Sequence, residues 1–240
     1  MANHEWSTLA DALTESLRLD ATPIAITFSD APPPDVEPFD APMPDPLPDG
    51  RTGRVPAGCV FWMKATDRTF STVAEDHGNC SVGSVTHGFK TLEEVAANSD
   101  VAALIESGWV TMDVVGHIPV VHERPESVTY GPLRDATSDP DVVLLRINAK
   151  QLMVLHDAWP GLRIEGKPQC HIVAVAKEAG ELAASVGCAL SRARTGMSAS
   201  EMTCAIPASR LGEVVDALEA TSSADFTVAR YAARDANRFA

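Results

Sequence analysis

The chain has 240 residues, 45% of them hydrophobic and 22% charged, with a formal net charge of −14. That length and balance suit one large globular domain with a sizeable core. The negative charge argues against a sequence-independent nucleic-acid surface or an anionic membrane surface, both of which need a basic face.

In chain order, Trp6, Leu9, Leu13 and Leu17 step by three and four and predict an amphipathic first helix. The same segment, with Glu5, Asp11 and Glu15, lacks the basic start and apolar centre of a secretory signal. No run of about 20 apolar residues follows, so no spanning helix is expected and the location is read as cytoplasmic. Pro23–Phe28 alternates like a strand. Residues 30–50 hold eight of the 17 prolines and six acidic residues with no basic one. They read as an extended surface excursion, either a lid or a solvated insert.

Ala57–Ala65 predicts a short buried helix, and Arg68–Val73 a strand that leads into a glycine-rich turn at Glu75–Gly83. Thr91–Ala97 and Asp100–Ser107 read as short helices. Ser127–Tyr130 and Asp141–Ile147 read as strands, the second apolar enough to be central. Asn148 is placed to cap a helix that ends at Pro160-Gly161. Cys170–Lys177 suggests another buried helix and Glu201–Ile206 a strand. Pro207 would then open a helix bearing Leu211, Val214, Val215 and Leu218, and Asp225–Phe239 a separate terminal one. Strands and helices mingle, so the expected class is α/β or α+β, a single domain with a mixed sheet and flanking helices.

Four of the five cysteines form two matched pairs. Gly58-Cys59-Val60-Phe61 faces Gln169-Cys170-His171-Ile172, and Gly78-Asn79-Cys80-Ser81 faces Val186-Gly187-Cys188-Ala189. The pattern suggests two loosely duplicated half-units, near 20–115 and 126–220, each bringing two thiols. In a reducing compartment such thiols hold metal, do chemistry or simply pack. A cysteine after a glycine turn and before a helix is well placed to become a thiolate. His77 and His171 lie beside these thiols and can ligate or move protons. Trp62 falls on the helical face of Cys59. Arg192 and Arg194 follow Cys188 and can grip a carboxylate or a haem propionate, or pair with the many acidic side chains. No Cys-x-x-Cys is present, so a zinc finger or thioredoxin motif is excluded. Cys204, inside an apolar strand, is read as core.

Three functions follow as expectations. One is a redox protein whose Cys59, Cys80, Cys170 and Cys188, with His77 or His171, hold an iron–sulfur cluster or a haem. Another is a cofactor-free thiol enzyme with Cys80 or Cys188 as nucleophile and His77 or His171 as its base. The third is a non-catalytic binding or assembly module. The expected partner is a small-molecule substrate or a redox partner protein, with homo-oligomerisation left open.

The ordered set Gly58–Ala65, Asp76–Gly83, Tyr130-Gly131-Pro132-Leu133, Asp141–Leu144, Pro168-Gln169-Cys170, Ser185–Cys188 and Ala205-Ile206-Pro207 resembles the family known as domain of unknown function 169. The resemblance covers Pro23 to the C-terminus. It implies Cys59, His77, Cys80, Cys170 and Cys188 as the residues to carry over, without an assigned reaction. The chain departs from the family pattern at Val60, where proline is frequent, and at Ala189–Ser191, where glycines are frequent.

Overall fold

A computed structural model describes residues 3–40, 58–166, 168–234 and 236–238. Its elements are α1 (Asn3–Leu17), β1 (Ile24–Ser29), α2 (Cys59–Lys64), β2 (Phe70–Thr72), α3 (Ser81–Thr86), α4 (Leu92–Val95), α5 (Ser99–Glu106) and α6 (Met112–Gly116). These are followed by β3 (Ser127–Pro132), β4 (Val142–Ile147), α7 (Ala149–Ala158), β5 (Arg163–Glu165), α8 (His171–Ala174), β6 (Ala183–Ser185), α9 (Ala189–Thr195), β7 (Met202–Pro207) and α10 (Leu211–Ala233).

All seven strands join one mixed sheet in the order β2-β3-β1-β4-β7-β6-β5. Every pairing is antiparallel except β5 with β6. Side chains alternate along a strand, so each strand feeds both faces. In β4, Val142 and Leu144 join one core, while Val143, Leu145 and Ile147 join the other. Burial on both sides explains the unbroken apolar run of that central strand.

The two faces are covered differently. On one, α1, α7 and α10 pack Trp6, Leu13, Leu17, Val154, Leu155, Leu211 and Leu218 against the sheet. Asn148 caps α7 through a reciprocal pair of hydrogen bonds with Gln151, at 2.8 and 3.1 Å, as the sequence suggested. On the other face lie the short helices α2 and α8, with Phe61, Trp62, Ile172 and Val173 over Ile24, Ile26, Val128 and Tyr130.

Several boundaries differ from those expected. Pro207 ends β7 instead of opening a helix, because Val142 pairs with it at the sheet's edge of register. A tight turn at Ala208–Arg210 follows, and α10 begins at Leu211. That helix runs unbroken through Thr221-Ser222-Ser223, since Ser222 is buried and the Thr221 hydroxyl bonds back to the Ala217 carbonyl at 2.9 Å. Within the acidic segment, residues 30–40 are not a free excursion: Pro38 bridges to Ser71 and Phe39 is buried against Phe61 and Phe70. The expectation of a lid or insert at 41–50 lies outside the described residues. No helix among the described residues is long and apolar enough to cross a membrane.

Candidate functional site

The paired cysteines occupy equivalent local settings. Cys59 is the first residue of α2 and Cys170 the residue just before α8. Cys80 and Cys188 are extended residues that cap α3 and α9, where helix amides lie free. At α3 the Cys80 sulfur accepts from the Gly83 amide at 3.3 Å. The helix start is pinned from outside by buried Asp100, which accepts from the Ser81 amide at 3.0 Å and the Ser81 hydroxyl at 2.7 Å.

At α9 the corresponding clamp is Arg192. It donates to the carbonyls of Val186 at 2.9 Å, Glu201 at 2.8 Å and Ser198 at 3.4 Å. It lies under Gly187, whose φ of 115° and closeness to the guanidinium exclude a side chain there. Arg194 ties α9 to the turn before α3 by donating to the Asn79 carbonyl at 3.1 Å.

The thiols feel one another: Cys188 disfavours ionisation of Cys59, Cys59 and Cys188 disfavour that of Cys80, and Cys80, Cys59 and Cys188 disfavour that of Cys170. Burial pushes Cys59 up to about 11, with Cys188 adding to it. Burial, then Cys59, pushes Cys80 up to about 12. Burial, then Cys80 and Cys59, holds Cys170 well above the usual thiol range. Cys204 lies on the opposite face in the other core, raised by burial alone to about 12. Its reading as core residue holds.

Donors surround the thiols. The Gln169 amide, fully buried, donates to the Cys59 sulfur at 3.3 Å and the Ser191 hydroxyl at 3.2 Å. The Ser191 hydroxyl also favours the Cys59 thiolate, and the Thr86 hydroxyl favours that of Cys170. Buried Tyr130 is raised well above its ordinary value by desolvation and then by Cys59 and Cys170. Several buried polar atoms at the site lack a hydrogen-bond partner: Trp62 Nε1, Tyr130 OH, Gln169 Oε1, His77 Nδ1 and His87 Nε2.

The histidines separate. His77 is wholly buried beside Phe61, Phe89 and His87, and its Nε2 pairs with the Thr72 hydroxyl at 3.2 Å. Because that hydroxyl donates to the Val128 carbonyl at 3.0 Å, the histidine donates through Nε2 and keeps Nδ1 as an acceptor. Burial, reinforced by His87, holds His77 neutral, and burial pulls His87 down to about 4. His171 points to another neighbourhood, 3.6 Å from the Glu165 carboxylate, with burial lowering it. Among the described residues, no three His, Cys, Asp or Glu side chains form a shell around one metal ion.

Gln169, Tyr130, Thr86 and Ser191 carried no assigned role in the sequence reading. The only hint to Gln169 was its place directly before Cys170; the hydroxyl donors come from different segments and leave no local pattern. A comparison with protein families matches residues 12–217 to DUF169, described as Uncharacterised ArCR. No curated protein and no solved structure gives a significant match.

Proposed function

This chain belongs to the DUF169 family, and from its four converging thiols we propose that it is a redox protein holding an iron–sulfur cluster on Cys59, Cys80, Cys170 and Cys188. The observation that carries this reading is a conflict at the thiols. Burial and neighbouring thiols oppose ionisation of Cys59, Cys80 and Cys170, yet donors that favour thiolates reach Cys59 and Cys80. A cationic iron core resolves it, because metal charge offsets both burial and mutual repulsion. The partnerless donors Trp62 Nε1 and Tyr130 OH fit the same reading, since buried polar groups ordinarily find a partner and cluster sulfurs accept hydrogen bonds.

Among the described residues no three His, Cys, Asp or Glu side chains form a shell around one metal ion, so a lone ion held by these thiols has less support than a cluster. Haem has less support. Arg192 spends its donors on backbone carbonyls and Arg194 bonds the Asn79 carbonyl, so neither is set aside for a propionate. The cofactor-free nucleophile also has less support, because Cys80 is raised instead of activated, and His77 bonds Thr72. When bound, the cluster supplies one-electron transfer, to a small molecule or a partner protein. The chain's own residues hold the thiolates, exclude water and donate hydrogen bonds to Cys59 and Cys80 sulfurs, a contribution that sets a cluster's potential.

The sheet order also supports a duplication. Read from its centre, β1-β3-β2 on one side corresponds to β4-β7-β6 on the other. Each unit then runs from a cysteine-led helix (α2 or α8) through a three-residue strand to a cysteine-capped helix (α3 or α9). Both closing strands end in proline, Pro132 and Pro207, before a tight turn. On this reading the units span 24–135 and 142–210, so β3 belongs to the first.

The test is anaerobic purification followed by iron and sulfide analysis with a visible spectrum. Brown protein with about four irons per chain supports the cluster. Colourless protein that takes up no iron on anaerobic reconstitution overturns it.

A further inference from the structure

Against α3 lies a chamber of about 270 Å³ that the redox reading does not use. Its wall includes Val82 and Val85 of α3, Leu104 of α5, Trp109, Val115 of α6 and Pro168. Cys80 caps α3 and Cys170 follows Pro168 by two residues, so this wall is shared with the site. The lining is apolar apart from Glu93, an exposed residue at the rim shared with a second, more open hollow. Apolar walls left to water are unfavourable, so an apolar occupant that displaces the water is favoured. The chamber opens along α6: Met112 and Val115 line it, and none of that helix's five residues is buried.

We propose that the chamber is a binding site for a neutral, apolar small molecule. Size sets the class. A 150 Å³ apolar cavity takes benzene, so this one suits about ten carbon atoms, the size of a fused bicyclic ring or a compact branched skeleton. A partner's helix is a poor occupant, because a single turn, about 10 Å across and about 5.4 Å long, displaces more than the chamber offers. An anion is disfavoured by Glu93 and by the absence of a cation in the lining. The proposal stands whether or not the thiols hold iron.

Naphthalene is the probe, titrated calorimetrically into the protein as purified, with naphthalene-2-sulfonate as the charged control. Saturable one-to-one binding is expected, with the sulfonate at least tenfold weaker. Val115→Phe and Ala96→Leu, which fill the chamber away from the cysteines, each weaken naphthalene at least tenfold while iron content and helicity stay unchanged. Should either variant fail to fold, nuclear Overhauser contacts from naphthalene protons to the methyls of Val82, Leu104 and Val115 in the unaltered protein locate the ligand. Unsaturable heats, equal affinity in the filled variants, or contacts to methyls elsewhere overturn the proposal.

Discussion

The two faces of the sheet are built to different standards. Under α1, α7 and α10, long amphipathic helices meet the sheet through aliphatic side chains and Trp6, and the buried polar Gln151 is spoken for by its cap and by the Arg18 carbonyl at 2.8 Å. Under α2, α3, α8 and α9, helices of four to seven residues hold thiols, imidazoles and a phenol in a space that leaves several polar atoms without partners. Short helices are poor sources of stability on their own. They do place a capping cysteine accurately. The lesson is a division of labour in which the first face carries the folding energy and the second spends some of it on a site.

Cysteine replacement breaks the comparison most sharply. Alanine at Cys59, Cys80, Cys170 or Cys188 is expected to remove most of the iron and visible absorbance, whereas Cys204→Ala, on the opposite face, leaves both intact. Iron analysis on the five purified variants checks this. Equal iron loss at all five positions means that the metal is not held where the thiols converge.

The reverse experiment loads the first face. Leu145 is fully buried there, so Leu145→Ala is expected to cost about 2–5 kcal/mol of stability with iron per folded chain unchanged. Denaturant unfolding beside metal analysis reads both quantities.

Acid distinguishes the faces next, since buried neutral histidines belong to the second alone. His87 has its folded pKa drawn down to about 4 from 6.5 by burial, and His77 is also lowered. The unfolded chain therefore binds more protons between those values, and stability falls as pH drops below about 6.5 towards 4. For His87 the loss is about 3 kcal/mol, by the usual conversion. His87→Phe keeps a ring beside Phe28 and Tyr130 and is expected to flatten the stability–pH curve of the protein in that window.

The faces were also unequally legible in the sequence. Trp6, Leu13 and Leu17 announce α1 by spacing, Asn148 and Gln151 announce the start of α7, and the apolar run of β4 announces a central strand. These signals are local, so they survive without the fold. By contrast β5 and β6 have three residues each; Arg163 and Ile164 are exposed, and pairing with a neighbour is all that makes the segment a strand. The continuity of α10 was hidden by Thr221-Ser222-Ser223, whose poor helix propensity is overruled by packing. At the site, the matched text around the cysteines pointed to the thiols. Beyond Gln169's place directly before Cys170, nothing local pointed to Gln169, Thr86, Ser191 or Tyr130, because each acts on a cysteine from another segment.

Gln169 supplies the smallest and most diagnostic effect. Its amide N–H donates to the Cys59 sulfur at 3.3 Å, so it is set to hold negative charge on that sulfur. A hydrogen bond to a ligating sulfur stabilises the reduced, more negative state and raises the potential. Gln169→Leu keeps the volume, removes that donor and is expected to lower the potential by tens of millivolts, with iron content near that of the unaltered protein. Gln169→Glu removes the same amide donor and adds charge, so its potential falls further. Redox titration followed in the visible separates this positioning role from a purely structural one, which would alter stability and leave the potential where it was.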